Sequence, residues 1–212
     1  MTILIRSLGL QPYEKTWQAM QAFTNQRNDD TPDEIWFCQH PPTFTQGLNG
    51  DPKHLHATIE THTIPLVQTD RGGQVTYHGP GQLICYLLLD LKRLNMGVRA
   101  LVTLIEQTLI SLLAELDIHA STRANAPGVY VEGQKIASLG LKVRKHRTYH
   151  GLSLNVDMEL TPFQWITPCG LSNIKMTQVY DWNAQPSLDQ LQSRLSELLL
   201  DQLQSNPLTA QV

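Results

Sequence analysis

The longest apolar stretch of the sequence, Leu83 to Leu91, is broken only by Tyr86 and Asp90. It falls far short of the roughly 18 residues that suggest a membrane span, and it reads instead as a buried strand. Strands are predicted around it at Ile64 to Thr69, Gln74 to Tyr77 and Gln82 to Leu89, punctuated by Gly72-Gly73 and Gly79-Pro80-Gly81. Three more follow at Gly128 to Val131, Lys135 to Val143 and Tyr149 to Leu154, with Glu132-Gly133 as a tight hairpin turn. Upstream, Ile3, Ile5 and Leu8 fit a first strand, and Glu34 to Gln39 a second, stopped by Pro41-Pro42. The stretch from Thr43 to Thr63 shows no clear period and is expected to be a long loop with one short helix.

Helices frame these strands. Tyr13, Trp17, Met20 and Phe23 recur at helical spacing between about Pro12 and Asn25. Val98, Leu101, Val102, Ile105, Leu109, Leu112, Leu113 and Leu116 make the strongest apolar stripe. Ser187, with Gln190 three residues on, caps a last helix whose core face is Leu188, Leu191, Leu195, Leu198 and Leu199. Strands in the middle, helices at the flanks and hairpins in place of regular βαβ alternation define an α+β fold in one domain, 1–212.

The net charge of −3 argues against bulk nucleic-acid binding. The N-terminus lacks the basic and apolar regions of a signal peptide, and no run spans a membrane. Cys38, Cys85 and Cys169 contain no CxxC and no zinc spacing, so a cytoplasmic protein with free thiols is expected.

Four segments are unusual for a domain that only has to fold. Arg71 to Gln82, Arg-Gly-Gly-Gln-Val-Thr-Tyr-His-Gly-Pro-Gly-Gln, suits a binding wall because glycine permits close approach; a hairpin with two glycine turns is the alternative. The spacing of a P-loop or a dinucleotide fingerprint is missing. In the second segment, Gly133 to Gly140, strict alternation would put Lys135, Ala137 and Leu139 on one face and Ile136, Ser138 and Gly140 on the other. Lys135 is then either a fixed cation beside a nucleophile or a surface lysine guarding a hairpin edge. The third segment, Tyr149 to Asn155, alternates like a half-exposed strand, with Gly151 marking a bulge or a close approach. In the fourth, Cys169 lies on a rigid turn between Pro168 and Gly170, whereas Cys38 and Cys85 fall within strands as small buried hydrophobes. Cys169 is the nucleophile candidate, and a thiol with pKa near 8.5 needs a nearby cation or base, from Lys135, His78 or His150.

Together, Arg71 to Gln82, Lys135-Ile136-Ala137, Gly140, His150-Gly151 and Pro168-Cys169-Gly170 closely resemble the lipoyl(octanoyl) transferase family, in the family's order, up to about Tyr180. The resemblance implies a single α+β domain around a mixed sheet, related to biotin and lipoate–protein ligases. It implies octanoyl transfer from octanoyl-acyl carrier protein to a lysine of lipoyl domains, those of 2-oxoacid dehydrogenases and of glycine-cleavage H protein. Carried over by motif, Cys169 is the acyl-thioester nucleophile and Lys135 lowers its pKa. The substrate is lined by Arg71, Gly72, Gly73, Gln74, Val75, Thr76, Tyr77 and His78, by Ser138, Leu139 and Gly140, and by Gly151, Leu152 and Ser153. No cofactor or metal is required.

Two rivals share the fold: an ATP-dependent lipoate or biotin–protein ligase, which has no need of Cys169, and a non-catalytic binding module, which needs neither Cys169 nor Lys135. The densest basic run, Lys142, Arg144, Lys145 and Arg147, lies in a turn between two candidate site strands and is expected to dock the acidic donor.

Overall fold

The structure, a computed structural model, describes residues 2–56, 63–168 and 174–205. Ten strands and three α-helices follow in the order β1 (Ile3–Leu10), α1 (Tyr13–Gln26), β2 (Asp33–Gln39), β3 (Thr43–Gln46), β4 (Leu66–Gln68), β5 (Val75–His78), β6 (Gln82–Leu88), α2 (Val98–Ala114), β7 (Ala120–Ser121), β8 (Gly128–Val131), β9 (Gln134–Arg144), β10 (Arg147–Asn155) and α3 (Leu188–Gln204). A seven-stranded sheet runs β1-β2-β6-β10-β9-β8-β7, and a three-stranded sheet runs β4-β3-β5. In the large sheet β1 pairs with β2 in parallel across the α1 crossover, and the other neighbours are antiparallel, so the sheet is mixed.

The apolar run Leu83 to Leu89 reads as continuous because both faces of β6 are covered. Leu83, Cys85 and Leu87, with Ile35 and Phe37 of β2, meet α2 and α3 in the main core. Ile84, Tyr86 and Leu88, with Trp36 and Cys38, meet Met20 of α1 on the opposite face. Helix α2 buries Leu101, Ile105, Leu109, Leu112 and Leu113, and Asp117 takes a left-handed φ of 59° just past its end. Helix α3 begins with the expected reciprocal Ser187–Gln190 capping box and buries Leu191, Leu195, Leu199 and Leu203. Among the described residues no helix is long and apolar enough to cross a membrane.

Three expectations change. The expected loop from Thr43 contains β3, whose four residues are all buried as the central strand of the small sheet. It was masked by its brevity, between Pro41-Pro42 and Gly47; residues 57–62 lie outside the described residues. The two-residue strand β7 was likewise unforeseen. In β9 the alternation fails at Ile136: Val129 pairs with Ala137 but Tyr130 pairs with Lys135, leaving Ile136 as the extra residue. Lys135 therefore shares the Tyr130 face, opposite to Ala137, and Ile136 joins the main core.

Charges gathered at one end of the sheet fix the turn end of the β9–β10 hairpin. Asp33 accepts from Arg27 and Arg93, and Arg147 reaches Asp90, Asp29 and the carbonyl of Arg27. This removes Arg147 from the expected basic strip and leaves Arg144, Lys145 and His146 exposed at the turn.

Gly151 is demanded by the sheet. A Cβ there would lie 2.0 Å from the backbone oxygen of Cys85 on β6, a contact only backbone movement relieves. We expect Gly151→Ala to lower stability by about 2–4 kcal/mol in urea unfolding. Gly97→Ala, at the start of α2 with nothing within 4 Å of the added carbon, should change it by less than about 1 kcal/mol.

Candidate active site

A cavity of about 50 Å³ lies where the small sheet faces β9, β10 and β6. Of the residues expected at the substrate, Arg71, Gly73, Gln74, Thr76, His78, Ser138, Leu139, Gly140, Gly151, Leu152 and Ser153 line it. Val75 and Tyr77 do not; they point into the core of the small sheet with Phe44, Met158, Phe163 and Ile166. Gly72 lines a neighbouring cavity together with Lys135, and the two cavities share Gly73, Leu139 and Gly140 as a common wall. Tyr13, Ile84, Tyr86 and His150 complete the lining of the first. Tyr13, Ile84 and Tyr86 were read only as helix and strand apolar positions, which carry no sequence signal separating a cavity wall from a core.

The loop after β4 is held by the Arg71 guanidinium. It donates to the Thr45 carbonyl (2.6 Å) and hydroxyl (2.9 and 3.1 Å), to Gln74 O (2.7 Å) and to Gly72 O (3.0 Å). The loop also rests on β9. Gly72 N–H donates to Leu141 O, and a Cβ on Gly140 would stand 3.0 Å from Gly72 O. Gly140 thus brings two backbones together to form the wall.

Lys135 is 1% exposed, which excludes the reading of a surface edge lysine. Its stem packs against Gly128, and its ammonium donates to Pro127 O at 2.9 Å and stands 5.4 Å from the centre of the Tyr130 ring. Its backbone is zipped to the segment following Cys169: Lys135 N–H donates to Lys175 O and Thr177 N–H to Lys135 O. On the other side, Thr167 N–H donates to His54 O and Ile166 pairs with Leu55. Cys169 itself lies outside the described residues. Cys38 and Cys85 are buried, on opposite faces of the sheet, and burial pushes both thiols up, away from thiolate at neutral pH.

Three histidines cluster with Tyr13 and Tyr86, and two of them, His78 and His150, line the cavity. His40 donates from Nδ1 to Gln11 O and accepts at Nε2 from the Tyr86 hydroxyl. His78 donates from Nδ1 to Gln82 and accepts at Nε2 from Thr45. Burial lowers His40 to about 4 and His78 well below the usual histidine range. His150 donates from Nε2 to Asp70, 3.0 Å away. Burial lowers its pKa despite that carboxylate, so all three rings are neutral near pH 7. A left-handed φ of 59° lets both Tyr149 and His150 reach Asp70, alongside Trp17.

Burial alone would raise the pKa of Asp70; hydrogen bonds from His150, Tyr149 and Trp17 outweigh it and hold the carboxyl below its ordinary range. A depressed carboxylate contributes stability above its unfolded pKa of about 3.9, and that contribution is lost as pH falls further. We therefore expect Asp70→Asn to destabilise at pH 7, and the gap to wild type to narrow below about pH 4. Urea unfolding at both pH values checks it; a constant gap would show that ionisation is not what matters.

Comparison with known proteins places this geometry. Residues 12–199 match the family Lipoyl protein ligase A/B catalytic domain, and the chain belongs to that family. Among curated relatives, an octanoyltransferase of Hydrogenovibrio crunogenus is 60% identical over 204 residues, covering 96% of this chain and 98% of that protein. One of Cellvibrio japonicus is 60% identical over 190 residues, 89% of this chain and 87% of that protein. Among solved structures, a bi-partite lipoate protein ligase of Thermoplasma acidophilum aligns with a TM-score of 0.78 at 15% identity, over 96% and 84% of the chains. The biotin protein ligase of Aquifex aeolicus aligns at 0.56 and 12%, over 96% and 69%.

Proposed function

We propose that the chain moves an octanoyl group in two steps, from octanoyl-acyl carrier protein to the thiol of Cys169, then to the lysine amine of a lipoyl domain. As an acyltransferase of protein lipoylation, an octanoyltransferase, it resembles its relatives over almost its whole length. The observation that carries the mechanism is the burial of Lys135 on a strand hydrogen-bonded to the chain that leads away from Cys169. An ammonium fixed there favours the thiolate over the thiol, and the thiolate is the nucleophile.

Donor and acyl-enzyme are both thioesters, so the first exchange is close to isoenergetic and needs no ATP. In the second step the amine attacks the carbonyl, the C–S bond breaks, an amide forms and the amine proton leaves. The cavity beyond Gly73, Leu139 and Gly140 receives the acyl chain, with about 0.8 kcal/mol per buried CH₂. The acceptors are lipoyl domains, those of 2-oxoacid dehydrogenases and glycine-cleavage H protein, and the setting is the cytoplasm.

Intact-mass analysis after exposure to octanoyl carrier protein tests this reading. Wild type should gain one octanoyl group mapped to Cys169; Cys169→Ser should fold and gain none, while Cys38→Ala and Cys85→Ala remain labelled. Lys135→Ala should move the pH profile of Cys169 alkylation upward and slow acylation by roughly tenfold or more. An adduct on another cysteine, or superimposable alkylation profiles, would remove the respective role.

The acidic donor docks on the β9–β10 hairpin in this reading. Lys142 and Arg144 continue the face of β9 that carries Ser138 and Gly140, and Lys145 and His146 form the turn with φ of 50° and 63°. Neither is glycine or asparagine, the residues such turns favour, so the turn forgoes local propensity to present positive charge. Arg144→Glu with Lys145→Glu should raise KM for the carrier strongly at low salt and leave a small octanoyl thioester unaffected. Equal losses with both donors would make the hairpin structural.

A further inference from the structure

The histidine cluster contains one open acceptor. His40 and His78 use both ring nitrogens, but His150 uses only Nε2, spent on Asp70. Its Nδ1 is fully buried without a hydrogen-bond partner, and the ring, 1% exposed, lines the acyl cavity. Because Nε2 carries the proton given to a carboxylate, Nδ1 is a bare lone pair on a residue that lines the cavity. Gln74, on the same lining, also holds a buried Oε1 without a partner. A saturated alkyl chain can satisfy neither atom, whereas a hydroxyl or thiol on the chain satisfies an acceptor directly.

The backbone points the same way. A left-handed φ on a histidine costs energy, and it persists where surrounding structure imposes it. Here it is what brings the ring between Asp70 and the cavity. Trp17 and Tyr149 hold Asp70 in turn, so the orientation of the ring is fixed before any ligand arrives.

We infer that His150, oriented by Asp70, is a specificity-determining residue that lets the cavity accept acyl chains bearing a hydrogen-bond donor, a hydroxyl or thiol, at the segment facing Nδ1. The inference rests on the cavity being the acyl site of the proposed transfer. It separates donors from acceptors: a hydroxyl fits the lone pair, while a ketone oxygen at the same carbon meets it lone pair to lone pair.

The test uses the full chain, a lipoyl domain as acceptor, and small octanoyl thioesters carrying one hydroxyl, or one oxo group, at successive carbons of the distal half. In wild type, one hydroxyl position should be transferred about tenfold better, in kcat/KM, than the oxo chain of the same position. His150→Phe should abolish that ratio. His150→Asn should also abolish it, because its shorter side chain withdraws the acceptor while tolerating the left-handed backbone. Unfolding curves establish that each variant folds. Equal transfer of hydroxyl and oxo chains at every position in wild type, or a ratio that survives in both folded variants, overturns the inference. Failure of wild type to transfer plain octanoyl would strike the acyltransferase reading instead, which keeps the two distinguishable.

Discussion

The site hangs on a buried guanidinium. Arg71 sits between the small sheet and β9, and its donors reach Thr45 of β3, Gln74 at the start of β5 and the carbonyl of Gly72. Burying a cation is expensive unless its hydrogen bonds are met, and a removed partner leaves the full desolvation cost behind. The carbonyls that satisfy Arg71 therefore have no low-cost alternative geometry, and the loop they belong to becomes a wall instead of a hinge. With that wall in place, Gly72 can lie against Leu141 and Gly140, and the cavity has its boundary. An arginine that looks like a ligand for substrate in the sequence is first of all the post on which the cavity wall is built.

Apart from the Arg71 guanidinium, the polar groups in and behind that boundary are uncharged. His40, His78 and His150 are all driven towards the neutral form by burial, and Tyr13 and Tyr86 stand between them. A charged ring here would repel an alkyl chain by demanding water beside it, while neutral rings offer flat apolar faces and single directed hydrogen bonds. The other charges stand on the far side of the His150 ring, on Asp70, and in the neighbouring cavity, on Lys135, while that of Arg71 is spent on Thr45, Gln74 and Gly72. On the proposed function, the arrangement separates the place where a chain is held from the place where bonds change.

What was legible in the sequence follows from periodicity. Both strong helical stripes and the continuous strand β6 stood out because burial writes itself at period 3.6 or as an unbroken apolar run. Strand β3 did not, since four residues are too few to show a period, and its burial comes from strands β4 and β5 on either side. The bulge at Ile136 was illegible for another reason. One extra residue changes which way Lys135 faces without changing any residue type, so alternation alone assigned it to the wrong face. Arg147 shows the same limit for charge: four basic residues in a row of six look like one strip until Asp90, Asp29 and the Arg27 carbonyl claim one of them. The wall residues of the cavity were largely named in advance by motif, but Tyr13, Ile84 and Tyr86 come from α1 and the opposite face of β6, which no local spacing connects to the glycine loop.

The burial of Lys135 is a costly commitment. Its ammonium donates to the Pro127 carbonyl and stands 5.4 Å from the centre of the Tyr130 ring, and its stem occupies the space that a side chain at Gly128 would need. A domain that only had to close this hairpin would do better with a leucine or methionine of similar volume, because replacing a buried ion by a packed apolar group is often neutral or stabilising. The ammonium is instead kept, on a strand whose backbone is hydrogen-bonded to residues 175 and 177 and so holds the end of the segment that began at Pro168. In the proposed transfer a fixed cation favours the thiolate over the thiol and stabilises the negative charge that develops on the carbonyl under attack. In the proposed transfer that electrostatic role offsets what the buried charge takes from stability, and on that proposal it accounts for a lysine where packing alone would not choose one.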